Sequence, residues 1–433
     1  MQSARQKLHT VKVAAAQTRL ADALPTGGAW VSAARRAAAS RLGDMGLPVK
    51  RDEYWRFTDP ARLTDASAPA AKVMDMGDEA PMFDGIDSVR LVFTDGRLDL
   101  EASDPLALDG VEISTLADAA QQDIHWARDL YGVLEADGQN PVDRPLAALN
   151  TAYATDGLMI RVTGKAPRPL ALVCRRVAAD ADAMMHHVIR VAEGAELTLL
   201  ESGPIAARSN TMMEVDVADG GTLHHIRAQG RDHERVGVTH LFARLGAASV
   251  FKSFTLTLNG ALVRNEGVVW MNGQGGSAHL AGAVVGDGKF HQDDTLFVTH
   301  GAPDCESRQV YKKVLRNGAV GVFQGKILVK QIAQKTDGYQ ISQSLLLDES
   351  SQFLAKPELE IYADDVKCSH GSTSGEINPD HLFYLRARGV PVEDAKALLV
   401  LAFLAEALEE IADAGIAEDL RARLESWMKR HRA

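Results

Sequence analysis

Cys368 and His370 are the residues of this chain whose types and spacing point most directly to chemistry. They lie in Val366-Lys367-Cys368-Ser369-His370-Gly371, after an alternating segment that begins at Glu360 and before a helix start at Asn378-Pro379. In an extended chain, residues i and i+2 point to the same face, so the thiol and the imidazole stand side by side. Such a pair can ligate a metal or form a nucleophile–base couple. The plainer alternative is a strand end with a buried cysteine and a merely polar histidine. Two ligands do not complete a tetrahedral site, and no Cys-x-x-Cys accompanies them. If the pair binds metal, the other ligands come from solvent, from a distant strand or from another chain. A site left half-built at a strand end is the form a shared site between subunits would take.

Other candidate motifs fail on spacing. Gly282 to Phe290 resembles a phosphate loop only faintly and has Phe290 where Ser or Thr should follow the lysine. Gly273-Gln274-Gly275-Gly276 has no helix after it, which excludes a dinucleotide turn. His186-His187 and His224-His225 are adjacent pairs whose rings point to opposite faces of a strand, so neither chelates as a unit. His291-Gln292-Asp293-Asp294 with His300 forms a polar patch. A carbohydrate-active β-helix enzyme would carry paired carboxylates on its outer wall, and Asp293 and Asp294 would then be the pair. The alternative for them is a structural polar ladder.

The elements that must position these residues change character along the chain. Residues 1–150 read as an α-rich unit with a small β element. It holds two helices broken at Pro25-Thr26-Gly27-Gly28, then a hairpin around Asp95-Gly96, then helix over Ile113–Leu134 and Pro141–Asn150. The aromatic-rich Glu53-Tyr54-Trp55-Arg56-Phe57-Thr58 lies between them, with Trp55 read as a packing anchor. Residues 151–366 contain no amphipathic helix and many short β-branched runs punctuated by glycine. Gly194, Gly220 and Gly246 are 26 residues apart. A fixed period of this length, built from strands and turns, predicts a solenoid whose coils cover one another. Its open edges require capping or pairing. Residues 367–433 return to helix. Asn378 is placed as an N-cap before Pro379, Val392–Ala412 carries Ala395, Leu398, Leu399, Ala402 and Phe403 at helical spacing, and a last helix spans Ala417–Arg430. These helices must pack on the solenoid or on another protein to bury their apolar surface.

Composition narrows the function class. A chain of 433 residues with 46% hydrophobic and 24% charged residues is ordinary for a globular protein with at least one large core. A net charge of −11 argues against a nucleic-acid partner. The one basic cluster, Arg421, Arg423, Lys429, Arg430 and Arg432, suits the solvated face and last turn of a helix. Three dispersed cysteines form no disulfide framework and fit a reducing compartment. With no apolar leader and no run near the roughly 18 residues of a membrane span, the expectation is a cytoplasmic protein.

The blocks from His291 to Pro391 resemble the SufD family of the SUF iron–sulfur cluster assembly scaffold. They include Thr299-His300-Gly301-Ala302-Pro303, Ser307 to Leu315, Val322-Phe323-Gln324-Gly325-Lys326-Ile327, Ala333-Gln334-Lys335-Thr336-Asp337, Pro357 to Ile361, Ala363 to Gly371 and Leu382 to Gly389. Gly46-Leu47-Pro48 and Glu53 to Thr58 are similar to the family's entry motif. Ser374 departs from it, standing where an aliphatic residue is expected. The resemblance implies a mainly β fold, with a right-handed parallel β-helix core between N- and C-terminal helical domains. It implies a scaffold subunit rather than an enzyme, binding no nucleotide itself, paired with a SufB-type paralogue through the β-helix and with a SufC-type ATPase through the C-terminal helices. Iron or a transient iron–sulfur cluster would assemble at the SufB–SufD interface, with His370 as this chain's ligand and Cys368 beside it, and ATP turnover by the partner would open that interface. In isolation, a homodimer is the alternative assembly. The rival readings are a purely structural interaction subunit and, remotely, the carbohydrate-active enzyme.

Overall fold

A computed structural model describes residues 4–74, 81–230 and 232–430 of the chain. Arg432 of the basic cluster lies outside the described residues. From Leu158 to Gly375 the chain winds into a β-solenoid of about seven coils. Successive strands alternate between two sheets, one of ten strands and one of nine. Within each sheet the solenoid strands pair in parallel with each residue aligned on its counterpart one coil away, as in Val236–Leu245 on Leu262–Met271. Alternation along each strand then sends one set of side chains into the space between the sheets and the other set outward.

The inward set forms the main core, including Leu172, Ile189, Leu197, Val215, Phe251, Leu280, Leu296 and Phe323. Both outer faces are covered as well. Against the nine-stranded sheet, Met212, Phe242, Val268 and Phe297 meet Val31, Tyr54, Leu116 and Tyr131 of the N-terminal unit. Against the ten-stranded sheet, Phe254, Leu256 and Ala283 meet Val400, Leu404, Leu420, Leu424 and Trp427 of the C-terminal helices. Each large aliphatic or Phe side chain among these contributes roughly 1.5–3 kcal/mol relative to exposure, so the helices are part of the solenoid's stability rather than appendages.

The glycine period marks real turns but drifts. Gly194 and Gly220 have φ of +64° and +63° two residues before Glu196 and Thr222, which open their strands. The equivalent residue in the next coil is Ala248 with φ +48°, not Gly246. Gly246 serves another purpose: a Cβ there would run into the side chain of Asp219 and come within 2.9 Å of its backbone nitrogen. A coil two residues longer thus separates the turn from the glycine that announced it.

The N-terminal helices form as read, Ala4–Arg19 and Ala29–Met45, as does the hairpin Val89–Thr94 with Arg97–Asp99. The helix expected over Ile113–Leu134 is instead the strand Val111–Thr115 followed by short helical pieces, Leu116–Gln121, Trp126–Asp129 and Val133–Asp137. That strand pairs antiparallel with Leu158–Val162, and the hairpin closes the other sheet. Together they cap one end of the solenoid, a tertiary demand that outweighs local helix preference.

At the other end, Gln352–Ile361 and Val366–Gly375 are the last strands of the two sheets. The strand carrying Cys368 and His370 therefore belongs to the solenoid. Asn378 then caps Pro379–Ala387, its Oδ1 accepting from the amides of Asp380 and His381. The helix Val392–Leu408 buries Ala397, Val400, Leu404 and Ala407 and leaves Leu398 51% exposed. Of the five residues chosen by spacing, Ala395 is buried and Leu399 and Phe403 are half-buried, while Leu398 and Ala402 are exposed: this helix is apolar around most of its circumference, and periodicity alone does not orient it.

Candidate functional site

Cys368 and His370 come together as the spacing predicts, on one face of the outermost strand of the ten-stranded sheet. In register, Cys368 lies beside Gly338 and His370 beside Gln340, one coil further in. Cys368 is half-buried and packs with Leu359 and Val366 against Ile327, Val329, Ala333 and Ala363, a small cluster that closes the lumen at this end. Gly338 makes room for the sulfur: a Cβ there would sit 3.2 Å from Sγ. Burial pushes the thiol's pKa up and the nearby Asp337 carboxylate adds to this, while the Gly338 amide works against both. A thiol held in this way is a poorer nucleophile and ligand until a cation stabilises its thiolate. His370 is exposed and makes no hydrogen bond or ion pair to any other described residue.

Two structural devices hold this end of the solenoid in shape. Glu53 pairs with Lys356 at 2.7 Å, and the Tyr54 hydroxyl donates to Glu358 at 2.7 Å, which ties the entry motif to the outermost strand of the nine-stranded sheet. Beside His370, Ser372 and Ser374 meet Ser342 and Ser344 at 3.2 and 3.0 Å between hydroxyl oxygens. The serine that departs from the aliphatic pattern is thus one rung of a polar ladder. Pro357 stands in the Gln352–Ile361 strand, a position tolerated where no further strand needs its N–H.

The edge itself presents free backbone groups. Asp337 donates its amide to Cys305, in the coil before it. Alternation in the aligned ladder then turns the amides of Cys368, His370 and Ser372 outward, where no described strand lies. The free backbone groups of Cys368 and His370 therefore line one docking edge, at the rim of the lumen on which their side chains stand.

The other sequence candidates are resolved. Asp293 and Asp294 are 0% and 2% exposed and point to opposite faces. Asp293 binds Arg264 and accepts from Thr58 at 2.5 Å, while Asp294 pairs with Lys313 at 2.6 Å and accepts from Asn265 at 2.9 Å. They are neither a pair nor on an accessible wall, so the glycosidase geometry is absent there. His186 bonds Glu214 outside the lumen and His187 accepts from the Leu158 amide inside it; His225 is held by Glu201 and Ser253. Trp55 is a packing anchor, with the Arg264 guanidinium 4.0 Å from its ring centre. Residues Gly282 to Asp287 lie in the strand Ser277–Asp287, with no helix after it. Among the described residues no group of three or more His, Cys, Asp and Glu is placed to hold a metal ion.

Sequence reasoning missed Gln309 and Gln340, two fully buried amides in the same lumenal column as His370. Their offsets of 31 and 30 residues, from Gln309 to Gln340 and from there to His370, are the coil length at this end, a period longer than the glycine spacing upstream. A second omission is the exposed aromatic pair Phe383 and Tyr384, 73% and 55% accessible on Pro379–Ala387, a helix that buries none of its residues.

Residues 175–403 match the family model described as the SUF system FeS cluster assembly, SufBD core domain. The chain is 28% identical over 397 residues to the iron–sulfur cluster assembly protein SufD of Escherichia coli, covering 88% of this chain and 89% of that protein. It is 26% identical over 423 residues to the SufD of Bacillus subtilis, covering 93% and 94% respectively. A SufBD family protein of Mycobacterium leprae is 35% identical over 191 residues, 42% of this chain and 49% of its own length. Among the described residues no helix is long and apolar enough to cross a membrane. With the solenoid, its helical flanks and this match over more than half its length, the chain belongs to the SufBD family of SUF-system iron–sulfur cluster assembly proteins, as a SufD-type member.

Proposed function

We propose that this chain is one half of a cluster-assembly scaffold, and that its open solenoid end is where the other half docks. The observation that carries the reading is the placement of His370 and Cys368 on a single face of an unpaired edge strand, with too few ligands for a closed site. A SufB-type paralogue adds its strands along Gln352–Ile361 and Val366–Gly375 and brings a thiolate to the pair. Iron or a nascent iron–sulfur cluster, the cargo of this assembly, is then held by the neutral imidazole of His370 together with that partner thiolate. Cys368 is the weaker ligand, because burial raises its pKa and it packs into the lumen's closing cluster. In isolation, a second copy of the chain is the alternative occupant of the same edges.

The C-terminal helices carry the second docking surface. Phe383 and Tyr384 on Pro379–Ala387, and Leu398 on Val392–Leu408, are exposed apolar side chains that the solenoid leaves uncovered, and they suit a SufC-type ATPase. The chain itself binds no nucleotide and supplies no catalytic residue in this reading; the partner's ATP cycle moves the subunits and opens the shared site. The compartment is the cytoplasm. The test is co-expression with the paralogue and the ATPase, comparing His370→Ala with the unaltered chain for cluster absorbance and iron content of the purified complex. Loss of cluster with the complex intact supports the ligand role. An unchanged cluster leaves the structural interaction subunit as the better reading.

A further inference from the structure

Gln309 and Gln340 form a short amide ladder that ends at His370. The lumenal column runs Leu280, Gln309, Gln340, His370 across four successive coils. Gln340 donates its Nε2–H to Oε1 of Gln309 at 2.9 Å. Both side chains are fully buried, and the outer atom of the ladder, Oε1 of Gln340, has no donor. Buried amide oxygens are rarely left unpaired, so this one calls for a partner. The next rung is His370, about one strand spacing away, roughly 4.8 Å. Its ring has no other described partner.

The opposite sheet is shaped for this amide. Gly325 faces it across the lumen, and a Cβ at that position would run into Nε2 of Gln340 and lie 2.8 Å from its Cδ. The absent side chain leaves the amide its place in the column, with Phe323 beside it. A polar group built so carefully into an apolar lumen, one rung from the candidate ligand, has the form of an orienting partner. Metal-ligating histidines commonly donate their second ring N–H to a carbonyl, which fixes the tautomer and leaves the other nitrogen's lone pair free.

We propose that Gln340 is a positioning residue for His370: its free amide oxygen accepts the imidazole N–H and presents the other ring nitrogen, unprotonated, at the open edge. This deepens, and rests on, the reading of His370 as a ligand. Gln309 in turn holds Gln340, and Gly325 clears the space for both.

The test is the tautomer of His370 in the full-length chain. Histidine labelled with nitrogen-15 gives long-range proton–nitrogen correlations that report which ring nitrogen carries the proton at alkaline pH. The His370 signals are assigned by their loss in His370→Asn. One tautomer is expected to dominate in the unaltered chain. Gln340→Leu removes the acceptor and shifts the tautomer ratio by roughly two- to tenfold, the span of one neutral hydrogen bond. Gln340→Glu keeps an acceptor oxygen, and Gln309 turns to donate its own free Nε2–H to it, so this variant retains the original tautomer. Melting curves check that each variant stays folded; if Gln340→Leu unfolds, Gln340→Met replaces it. A ratio unchanged in the apolar variant, or shifted equally by the glutamate, overturns the proposal. The two failures stay distinct: a cluster that survives His370→Ala defeats the ligand reading, whereas an unmoved tautomer defeats only the positioning role.

Discussion

Asp293→Ala separates a structural carboxylate from a catalytic one. In the fold, Asp293 is fully buried beneath the entry motif. It binds Arg264, itself 1% exposed, and accepts from Thr58 at 2.5 Å and Thr295 at 3.0 Å. Breaking a buried ion pair from one side costs about 3–5 kcal/mol, chiefly because the remaining charge is stranded. Glu266 stays on Arg264 at 2.7 Å and offsets part of that, so the lower end, about 3 kcal/mol, is expected. For a domain this size, that corresponds to a drop on the order of 5 °C in the melting midpoint. The assay is thermal and urea unfolding followed by circular dichroism and by tryptophan fluorescence, with Thr58→Val and the double variant to measure coupling. The Thr58 and Asp293 effects should be non-additive because they share a bond. A loss below about 1 kcal/mol, or simple additivity, would refute the buried-clamp reasoning.

Three further outcomes follow from the same geometry. His300 is fully buried, and burial pushes its pKa down to about 4; the unfolded chain, near 6.5, binds the proton more readily, so this contribution is complete above pH 6.5 and is lost as pH falls toward 4. Between pH 7.5 and 5 it amounts to about 2 kcal/mol, and His300→Gln should flatten that part of the urea-midpoint profile. Phe383→Ser with Tyr384→Ser should abolish pull-down of the ATPase while moving the melting midpoint by less than about 2 °C, since single surface changes lie within ±0.5 kcal/mol; retained binding would place the ATPase elsewhere. Ser372→Pro, compared with Ser372→Ala so that the lost Ser342 contact cancels, removes an outward-facing amide and should weaken pairing with the paralogue in size-exclusion chromatography, whereas Thr373→Pro removes a ladder bond and should lower the stability of the chain itself; equal effects on both properties would count against strand addition at this edge.

Much of this was legible in the sequence because it rests on local rules. The Cys368–His370 spacing set their common face, the Asn378–Pro379 start set a helix, and the recurring glycine turns announced stacked coils. What escaped depended on tertiary register. Val111–Thr115 became a capping strand because the solenoid needs its first edges closed. Ala248 took the left-handed turn because one coil is longer than its neighbours. The helix Val392–Leu408 offered apolar residues on nearly every side, so only docking against the sheet chose Val400 and Leu404 over Leu398. Gln309 and Gln340 carry no local signature at all; their meaning comes from lying one coil apart beneath His370.

The central claim is that His370 stands at a half-site completed by a partner. The most direct measurement is Mössbauer or absorption spectroscopy of the co-purified three-component complex, carrying either the native histidine or His370→Ala, at equal subunit stoichiometry. The account predicts that the alanine complex assembles normally and holds little or no iron–sulfur cluster. A full complement of cluster in that intact complex would contradict it.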